Sequence, residues 1–219
     1  MKYKAAIFDM DGLLIDTERI FLDAFKKTSE TLGFEFDMSL FIKLIGTNAV
    51  KTKEIMTKGF GNGFNYDLFR ETWVRNVDDC LSLNPIPLKD GATEILEKIK
   101  EISIPMAVAT STRYSDAIKS LESTGIVHYF EFVMAGDQVT KGKPDPEIYL
   151  KAAQKLDAVP VECIVFEDSE NGVKSAHAAG MDIIQIPDLL DPSDELKALG
   201  HRVFVSLVDV CRNFEKIFT

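Results

Sequence analysis

The sequence predicts an α/β fold in which a helical module is inserted into a core built on a parallel β-sheet. Two observations predict it: short, continuous apolar runs alternate with amphipathic helical patterns, and one long segment near the N-terminus carries helical periodicity alone. The chain has 219 residues, of which 46% are hydrophobic. That is enough for one large domain, or for a core with a smaller insert, and it argues against wholesale disorder.

Apolar runs that are too short for buried helices are the predicted strands of the sheet. They cover Ala5–Phe8, 104–109, Phe132–Met134, 163–166, 182–186 and 202–205. Helical patterns lie between them, at 92–100, 115–123, 147–156 and 172–179. Continuous apolar strands joined by helices indicate βαβ units, with a sheet covered on both faces. Ligands of such sheets bind beyond the carboxyl ends of the strands, so function is expected at that edge.

Residues 16–84 form the predicted α-helical cap domain, and residues 1–15 with 85–219 form the predicted core. The cap segment carries its apolar residues at helical spacing, and Phe69 and Trp73 are expected to pack in its interior rather than to bind substrate. Arg75 is a candidate substrate contact, although a solvated helix face is the more ordinary place for it. The glycine-rich stretch 59–63 fits no phosphate-loop pattern and follows no strand, so it is interpreted as a turn between helices.

Charge and cysteine content disfavour several classes of protein. The formal net charge is −10, and nucleic-acid binding needs a basic surface instead. No apolar run approaches the length of a transmembrane helix, and the N-terminal residues lack the pattern of a signal peptide. Cys80, Cys163 and Cys211 are widely spaced, which is typical of neither a disulfide scaffold nor a zinc site. We therefore expect a cytoplasmic protein that binds neither membranes nor nucleic acid.

Two carboxylates follow the first predicted strand. Asp9 and Asp11 lie one residue apart, and Gly12 comes next. Acids at the end of a buried strand are costly unless a divalent cation, a shared proton or a covalent role compensates for them. The alternative is a pair of solvated acids that precede a turn, since Asp and Gly are common turn residues.

Polar residues also follow three of the later strands. Thr110 and Ser111 follow the second strand, Lys143 follows the third, and Glu167 and Asp168 follow the fourth. Each set has an ordinary explanation, because hydroxyls and acids often cap helices and a lysine is usually at the surface. The carboxyl ends of parallel strands meet at the same edge of a sheet, so we expect these groups and the two acids of the first strand to surround one crevice.

Together these residues resemble the four motifs of the haloacid dehalogenase superfamily, over essentially the whole chain. The matching segments are Asp9-Met10-Asp11-Gly12 with Leu14, Asp16, Thr17 and Glu18; Thr110-Ser111; Lys143-Pro144; and Glu167-Asp168-Ser169 with Asn171-Gly172. The chain is most similar to the helical-cap subfamily of sugar-phosphate phosphatases and β-phosphoglucomutase. The resemblance implies a Rossmann-like core, a bound Mg²⁺ and an aspartyl-phosphate intermediate.

The resemblance also implies roles for the acidic residues. Asp9 is then the nucleophile, and Asp11 is the general acid for the leaving alcohol and afterwards the base for the incoming water. The implied metal site comprises Asp9, Glu167 and Asp168, and Asp11 contributes its backbone carbonyl rather than its carboxylate. Hard oxygen ligands suit Mg²⁺, and the cation lets an anionic nucleophile approach an anionic phosphate.

The remaining motif residues are implied to hold the phosphoryl group. Lys143 offsets the negative charge that Asp9 shares with it. The Thr110 hydroxyl and the Ser111 backbone N–H hold phosphate oxygens at a helix N-terminus. Closure of the cap would exclude bulk water during the first transfer.

Two departures from the mutase pattern favour a phosphatase. Phe21 stands where the mutase has a histidine, and no arginine follows Gly46, where the mutase has one. Lys51 or Lys53 could replace that arginine, but a lysine is not equivalent at a bidentate phosphate site.

Two other functions are disfavoured by particular features of the chain. A 2-haloacid dehalogenase lacks the second aspartate of the first motif, and Asp11 is present here. A signalling phosphoacceptor such as a receiver domain has about half this length and no cap insert. His128, His177 and His201 have no metal-ligand spacing.

The resulting hypothesis is an Mg²⁺-dependent phosphatase that acts on a small phosphorylated metabolite, with a sugar phosphate as the first choice. A monomer or a weak homodimer is expected. The alternative is a mutase of the β-phosphoglucomutase type.

Overall fold

The computed structural model describes residues 2–45, 47, 49–83 and 86–219. The chain forms two compact units, Met1–Asp16 with Ile86–Thr219 and Thr17–Pro85. We call the first the core unit and the second the cap unit.

A parallel sheet forms the centre of the core unit and confirms the predicted α/β fold. Its strands are β1 Ala5–Phe8, β2 Met106–Ala109, β3 Phe132–Met134, β4 Cys163–Glu167, β5 Asp182–Gln185 and β6 Arg202–Val203. Their order across the sheet is β3-β2-β1-β4-β5-β6, which is the Rossmann-like arrangement. Phe8 pairs with Val108 on one side and with Phe166 on the other. The residues that follow β1, β2 and β4 therefore lie at one level of the same edge.

Helices surround this sheet and make up the cap unit. The helices are α1 Thr17–Thr31, α2 Met38–Ile42, α3 Ala49–Phe60 and α4 Tyr66–Leu83 in the cap unit, and α5 Ala92–Glu101, α6 Tyr114–Ser123, α7 Glu147–Lys155, α8 Glu170–Ala178, α9 Asp194–Lys197, α10 Leu207–Arg212 and α11 Phe214–Phe218 in the core unit. The four helices predicted between the strands are α5 to α8, and α10 and α11 are additions to the prediction. None of the helices in the described part of the chain has the length and apolar character needed to cross a membrane.

The element boundaries differ from the predicted ones by a few residues, for identifiable reasons. β2 begins at Met106 rather than at 104, because the Ile104 N–H bonds to the Ile99 carbonyl and completes the turn after α5. α8 begins at Glu170 rather than at 172, because the Ser169 hydroxyl caps it by accepting a hydrogen bond from the Gly172 N–H. N-terminal capping of this kind fixes where a helix starts.

The two faces of the sheet are packed differently. On one face, Ile7 and its register partner Val165 belong to an apolar cluster with Tyr149 of α7 and Val173 of α8. On alternate positions of the same strands, the ring of Phe8 stacks on that of Phe166 with centroids 4.5 Å apart. Both central strands are thus buried on both sides, as their continuous apolar sequences predict.

Aromatic rings fill the interior of the cap unit. Phe25 is fully buried, and the rings of Phe69 and Trp73 each lie 5.2 Å from it. The prediction that Phe69 and Trp73 are packing residues is confirmed. The only regular structure in the described part of this unit is helical, also as predicted.

The two other predictions for the cap unit concern its surface. Arg75 is exposed and pairs with Glu71 one helical turn away, so it occupies an ordinary solvated helix face. Gly61 and Gly63 have positive φ and lie in the turn between α3 and α4, which confirms the predicted turn for residues 61–63 but not for 59 and 60. Gly59 lies inside α3, where a Cβ would come 2.4 Å from the Leu40 side chain.

Candidate active site

Three strand ends of the core unit bring a lysine and two acids into contact. The Lys143 ammonium donates hydrogen bonds to Asp9 Oδ1 at 2.5 Å and to Glu167 Oε1 at 2.6 Å. It also donates to the carbonyl of Ala109 at the end of β2, at 3.0 Å. The predicted convergence of the β1, β2 and β4 ends is therefore present, and Lys143 joins all three.

Lys143 is a buried cation rather than a surface lysine. Only 4% of its side chain is exposed, and the Glu167 side chain is fully buried. Burial by itself lowers the pKa of Lys143, but the charges of Asp9 and Glu167 outweigh it and hold that pKa well above its ordinary value. The lysine is thus charged, and a buried charge of this kind is stable only while its partners remain.

The Glu167 carboxylate is hydrogen-bonded on both oxygens. Oε1 accepts from Lys143 and from the Tyr149 hydroxyl, and Oε2 accepts from the N–H and the hydroxyl of Ser169. Burial raises the pKa of Glu167, but the Lys143 charge and these hydrogen bonds outweigh that effect, so the pKa lies below its ordinary value. Gly172 makes room for the group, since a Cβ there would lie 1.6 Å from Glu167 Oε1.

Asp9 has a different electrostatic environment from Glu167. Burial raises the pKa of Asp9 to about 8, with the charges of Glu167 and Asp11 adding to the rise and that of Lys143 opposing it. Two carboxylates, those of Asp9 and Glu167, face the single ammonium of Lys143. A surplus of negative charge in a buried position favours the binding of a further positive charge.

Asp168 completes a cluster with the geometry of a metal site. Asp9, Glu167 and Asp168 each offer a carboxylate oxygen, and these oxygens all lie within 4.8 Å of one another. Gly12 adopts φ +80° beside them, and a Cβ there would lie 2.5 Å from Asp168 Oδ2. The tight approach of the β1 loop to Asp168 therefore requires glycine. Oxygen ligands with surplus negative charge fit a hard divalent cation such as Mg²⁺.

Asp11 lies at the same edge but outside this cluster. Its Oδ2 accepts hydrogen bonds from the hydroxyls of Thr112 at 2.7 Å and Thr110 at 3.3 Å. The predicted pair Asp9 and Asp11 is thus separated into two environments, one around Lys143 and one around the threonines.

The hydroxyl residues after β2 do not cap the following helix. α6 begins at Tyr114, whose N–H donates to Asp137 Oδ1 at 2.9 Å. Thr110 instead accepts from the Thr112 N–H at 3.0 Å, while the Ser111 side chain is exposed. The ordinary capping explanation for these residues is therefore wrong.

Three residues support the site without having been singled out in the sequence. Thr112 binds Asp11, Tyr149 binds Glu167, and the buried Gln185 of β5 donates to the Asp168 carbonyl at 3.2 Å. Tyr149 and Gln185 lie at positions that the apolar pattern assigns to packing. Of these three residues, only Thr112 could have been found from the sequence, because it directly follows the motif residues Thr110 and Ser111.

The histidines and cysteines are peripheral to this chemistry. His201 shares a 2.7 Å hydrogen bond with Gln185, and His177 is exposed on α8. The three cysteines are free thiols. Burial raises the pKa of Cys163 to about 11, which is typical of a packing residue rather than of a nucleophile.

The cap positions compared with the mutase are surface and packing positions. Phe21 packs edge-on against Trp73 with ring centroids 6.4 Å apart. Lys51 pairs with Glu54 and Lys53 with Asp67. Gly46, after which the mutase has its arginine, lies outside the described residues, and so does Asn48.

Comparison with known proteins identifies the family. Residues 6–186 match the family model described as haloacid dehalogenase-like hydrolase, and the chain belongs to this family. The resemblance inferred from the four motifs is thereby confirmed.

Individual relatives match nearly the whole chain. The phosphorylated carbohydrates phosphatase of Thermotoga maritima is 35% identical over 209 residues, which cover 94% of each protein. The fructose-1-phosphate phosphatase YqaB of Escherichia coli is 31% identical, covering 84% of this chain and 97% of the relative. The solved structure of CbbY from Rhodobacter sphaeroides in complex with phosphate is 26% identical, with a TM-score of 0.76, covering 95% of this chain and 96% of that one.

Proposed function

We propose that the protein is an Mg²⁺-dependent phosphatase that hydrolyses a small phosphorylated metabolite through an aspartyl-phosphate on Asp9. The observation that carries the proposal is the buried Lys143 held between Asp9 and Glu167, with a carboxylate oxygen of Asp168 within 4.8 Å of an oxygen of each acid. This arrangement provides a carboxylate, a fixed cation and a site for a second cation at one point. Phosphoryl transfer is catalysed mainly by such positioning and charge.

Asp9 is the nucleophile in this proposal. One of its carboxylate oxygens forms a bond to the phosphorus of the substrate while the bond from phosphorus to the alcohol oxygen breaks. Water then attacks the same phosphorus, the bond to Asp9 breaks, and inorganic phosphate leaves. Splitting the reaction into two transfers is the usual advantage of covalent catalysis.

Asp11 moves the protons in both transfers. Its carboxyl group gives a proton to the departing alcohol oxygen and later takes one from the attacking water. The Thr112 hydroxyl, 2.7 Å from Asp11 Oδ2, fixes the orientation of the carboxyl group. The carboxylate of Asp11 thus accepts from the threonines after β2, whereas that of Asp9 accepts from Lys143.

Asp9 and Asp168 are the residues that would hold the Mg²⁺ through their carboxylates. The Glu167 carboxylate already accepts four hydrogen bonds, which occupy its lone-pair positions. We assign it to holding Lys143 rather than to binding metal directly, and the backbone carbonyl of Asp11 remains the further predicted ligand. When bound, the cation supplies positive charge that screens the repulsion between nucleophile and phosphate.

The residues after β2 would bind the phosphoryl oxygens, and Lys143, whose three N–H groups donate to Asp9, Glu167 and the Ala109 carbonyl, would offset their charge. Lys143 is fixed by its two carboxylates, so its charge is available without reorganisation. The Thr110 hydroxyl and the Ser111 N–H are assigned as hydrogen-bond donors to the phosphoryl oxygens, as the motif resemblance implies.

The cap favours hydrolysis over mutase chemistry. A mutase must hold the second phosphate of a bisphosphate intermediate, which requires cations or other donors in the cap. Phe21 is apolar, and Lys51 and Lys53 are already paired with cap acids. These features support a phosphatase, and the names of the two curated relatives support a sugar phosphate as substrate.

The test is phosphate release from a panel of sugar phosphates, glycerol phosphate, phosphoglycolate and nucleotides. We expect multiple turnovers with at least one sugar phosphate, loss of activity in EDTA and recovery on addition of Mg²⁺. Turnover that persists without metal would contradict the proposal, and so would a single stoichiometric phosphorylation without release.

The mutase alternative has its own assay. With β-glucose 1-phosphate, a mutase forms glucose 6-phosphate with little phosphate release, and the bisphosphate stimulates it. We expect phosphate release and no such stimulation.

A further inference from the structure

A partly buried ion pair, Lys89 with Asp188, lies in the core unit. Lys89 donates to Asp188 Oδ1 at 2.5 Å, and it lies 3.7 Å from Asp16 Oδ1. Asp188 belongs to the loop after β5, and only 7% of its side chain is exposed. The loop after the fifth strand therefore also brings an acid to the functional edge of the sheet, although Asp188 lies in none of the four motifs.

The second oxygen of Asp188 is buried without a hydrogen-bond donor. Among the residues that the structure describes, none donates to Asp188 Oδ2. A carboxylate oxygen is an acceptor only, and burying it unsatisfied costs free energy. Lys89 holds the other oxygen and so prevents the group from turning to find a donor.

Asp188 Oδ2 and Asp168 Oδ2 lie against the same glycine. A Cβ on Gly12 would be 2.5 Å from Asp168 Oδ2 and 3.5 Å from Asp188 Oδ2. Asp188 is not among the residues whose ligand atoms cluster within 4.8 Å, namely Asp9, Glu167 and Asp168. It is thus beside the metal site without being part of it.

We propose that Asp188, held by Lys89, is a positioning residue that accepts a hydrogen bond from a water molecule on the cation bound by Asp9 and Asp168. Mg²⁺ usually keeps several of its waters, and these waters need acceptors. Carboxylates that accept from metal ligands orient them and strengthen metal binding. The inference rests on the metal site of the proposed function, and it assigns the unsatisfied oxygen to that site.

The test is the dissociation constant for Mn²⁺, used as a probe for Mg²⁺, measured by titration calorimetry without substrate. Asp188→Asn keeps the shape and the acceptor that faces Lys89, but replaces Oδ2 with a donor. We expect roughly 10- to 100-fold weaker Mn²⁺ binding. Asp182→Asn is the matched control, because Asp182 begins β5 and also pairs with cations, Lys2 and Arg202. The dissociation constant of Asp182→Asn for Mn²⁺ should stay within about twofold of that of wild type.

Thermal unfolding in EDTA checks that each variant is folded, and Asp188→Ser serves as a second variant with the same expected loss. Equal Mn²⁺ affinity in a folded Asp188 variant and in wild type would overturn this inference alone. An equal loss in Asp182→Asn would also overturn it, because the effect would then be one of net charge. If wild type binds no Mn²⁺, both this inference and the proposed metal dependence fail.

Discussion

The carboxyl edge of the core sheet and the interior of the cap unit are stabilised in opposite ways. At the sheet edge, charged groups are buried and fixed by particular hydrogen-bond partners, as Lys143 is by the acceptors Asp9 and Glu167. Inside the cap unit, aromatic rings pack around Phe25, and a buried hydrogen bond from Asn76 to Thr28 joins α4 to α1. The sheet edge depends on the positions of particular polar atoms, whereas the cap interior depends on how well its side chains fill the available volume.

This difference predicts which property each region controls. Isosteric changes at the sheet edge should alter the rate most, because each removes a particular charge or hydrogen bond. Changes of volume in the cap interior should alter stability, and volume-conserving ones should be tolerated.

The largest expected effect is loss of turnover in Asp9→Asn. The amide has nearly the shape of the carboxylate but is not a competent nucleophile, so phosphate release should fall by at least about a thousandfold. The measurement is steady-state phosphate release with the best substrate of the panel. Asp182→Asn is the control, because it removes the same amount of negative charge. Residual activity above a few per cent in clean protein would contradict the assignment of Asp9.

Phe25→Ala should produce the largest loss of stability in the cap unit. Phe25 is fully buried, and removing a buried ring costs about 3–5 kcal/mol. Urea unfolding followed by tryptophan fluorescence measures the change, because Trp73 contacts Phe25. Phe25→Leu retains much of the volume and should lose less. Equal losses in the two variants would mean that volume does not determine cap stability.

Glu167→Gln should lower kcat by about 10- to 100-fold with a small change in KM. The amide presents a donor to groups that are themselves donors, and a hydrogen bond to a charged group contributes about 1.5–3 kcal/mol. Tyr149→Phe removes one donor and leaves Lys143 in place, so its loss of kcat should be smaller. A larger loss in Tyr149→Phe than in Glu167→Gln would contradict the assigned role of Glu167.

The smallest expected effect is a pH dependence at Glu147, the first residue of α7. Hydrogen bonds from Lys151 and from the N–H groups of Thr140 and Lys141 lower the pKa of Glu147 from 4.5 to about 2. A carboxylate with a lowered folded-state pKa contributes stability that is fully present above the unfolded value of 4.5 and is lost as pH falls toward 2.

Glu147→Gln removes this titration. The urea midpoint of wild type should therefore exceed that of the variant at pH 6, and the difference should shrink by pH 3. The other acidic residues titrate in both proteins, so their effects on the urea midpoint cancel in the comparison. A difference that stays constant over this range would contradict the assignment.

The sequence predicted the sheet and the residues at its edge because both are local signals. Apolar runs mark buried strands, and the residues that follow them are read directly from the chain, as with Asp9 and Glu167. Parallel pairing then brings these ends together without further information.

The supporting contacts could not be predicted in the same way. Tyr149 and Gln185 occupy apolar-patterned positions, and only the folded structure shows that their polar ends reach Glu167 and Asp168. Lys89 and Asp188 are 99 positions apart, and neither lies in a motif. The environments of Asp9 and Asp11 also differ more than their spacing suggests, because the threonines after β2 bind one of them and Lys143 binds the other.

The central claim is that the phosphoryl group passes through Asp9. Rapid acid quench during turnover, followed by borohydride reduction and peptide mass spectrometry, locates an acyl phosphate directly. The account predicts modification of Asp9 in the wild-type protein and none in Asp9→Asn. An acyl phosphate on another residue, or turnover in which Asp9 is never modified, would contradict it.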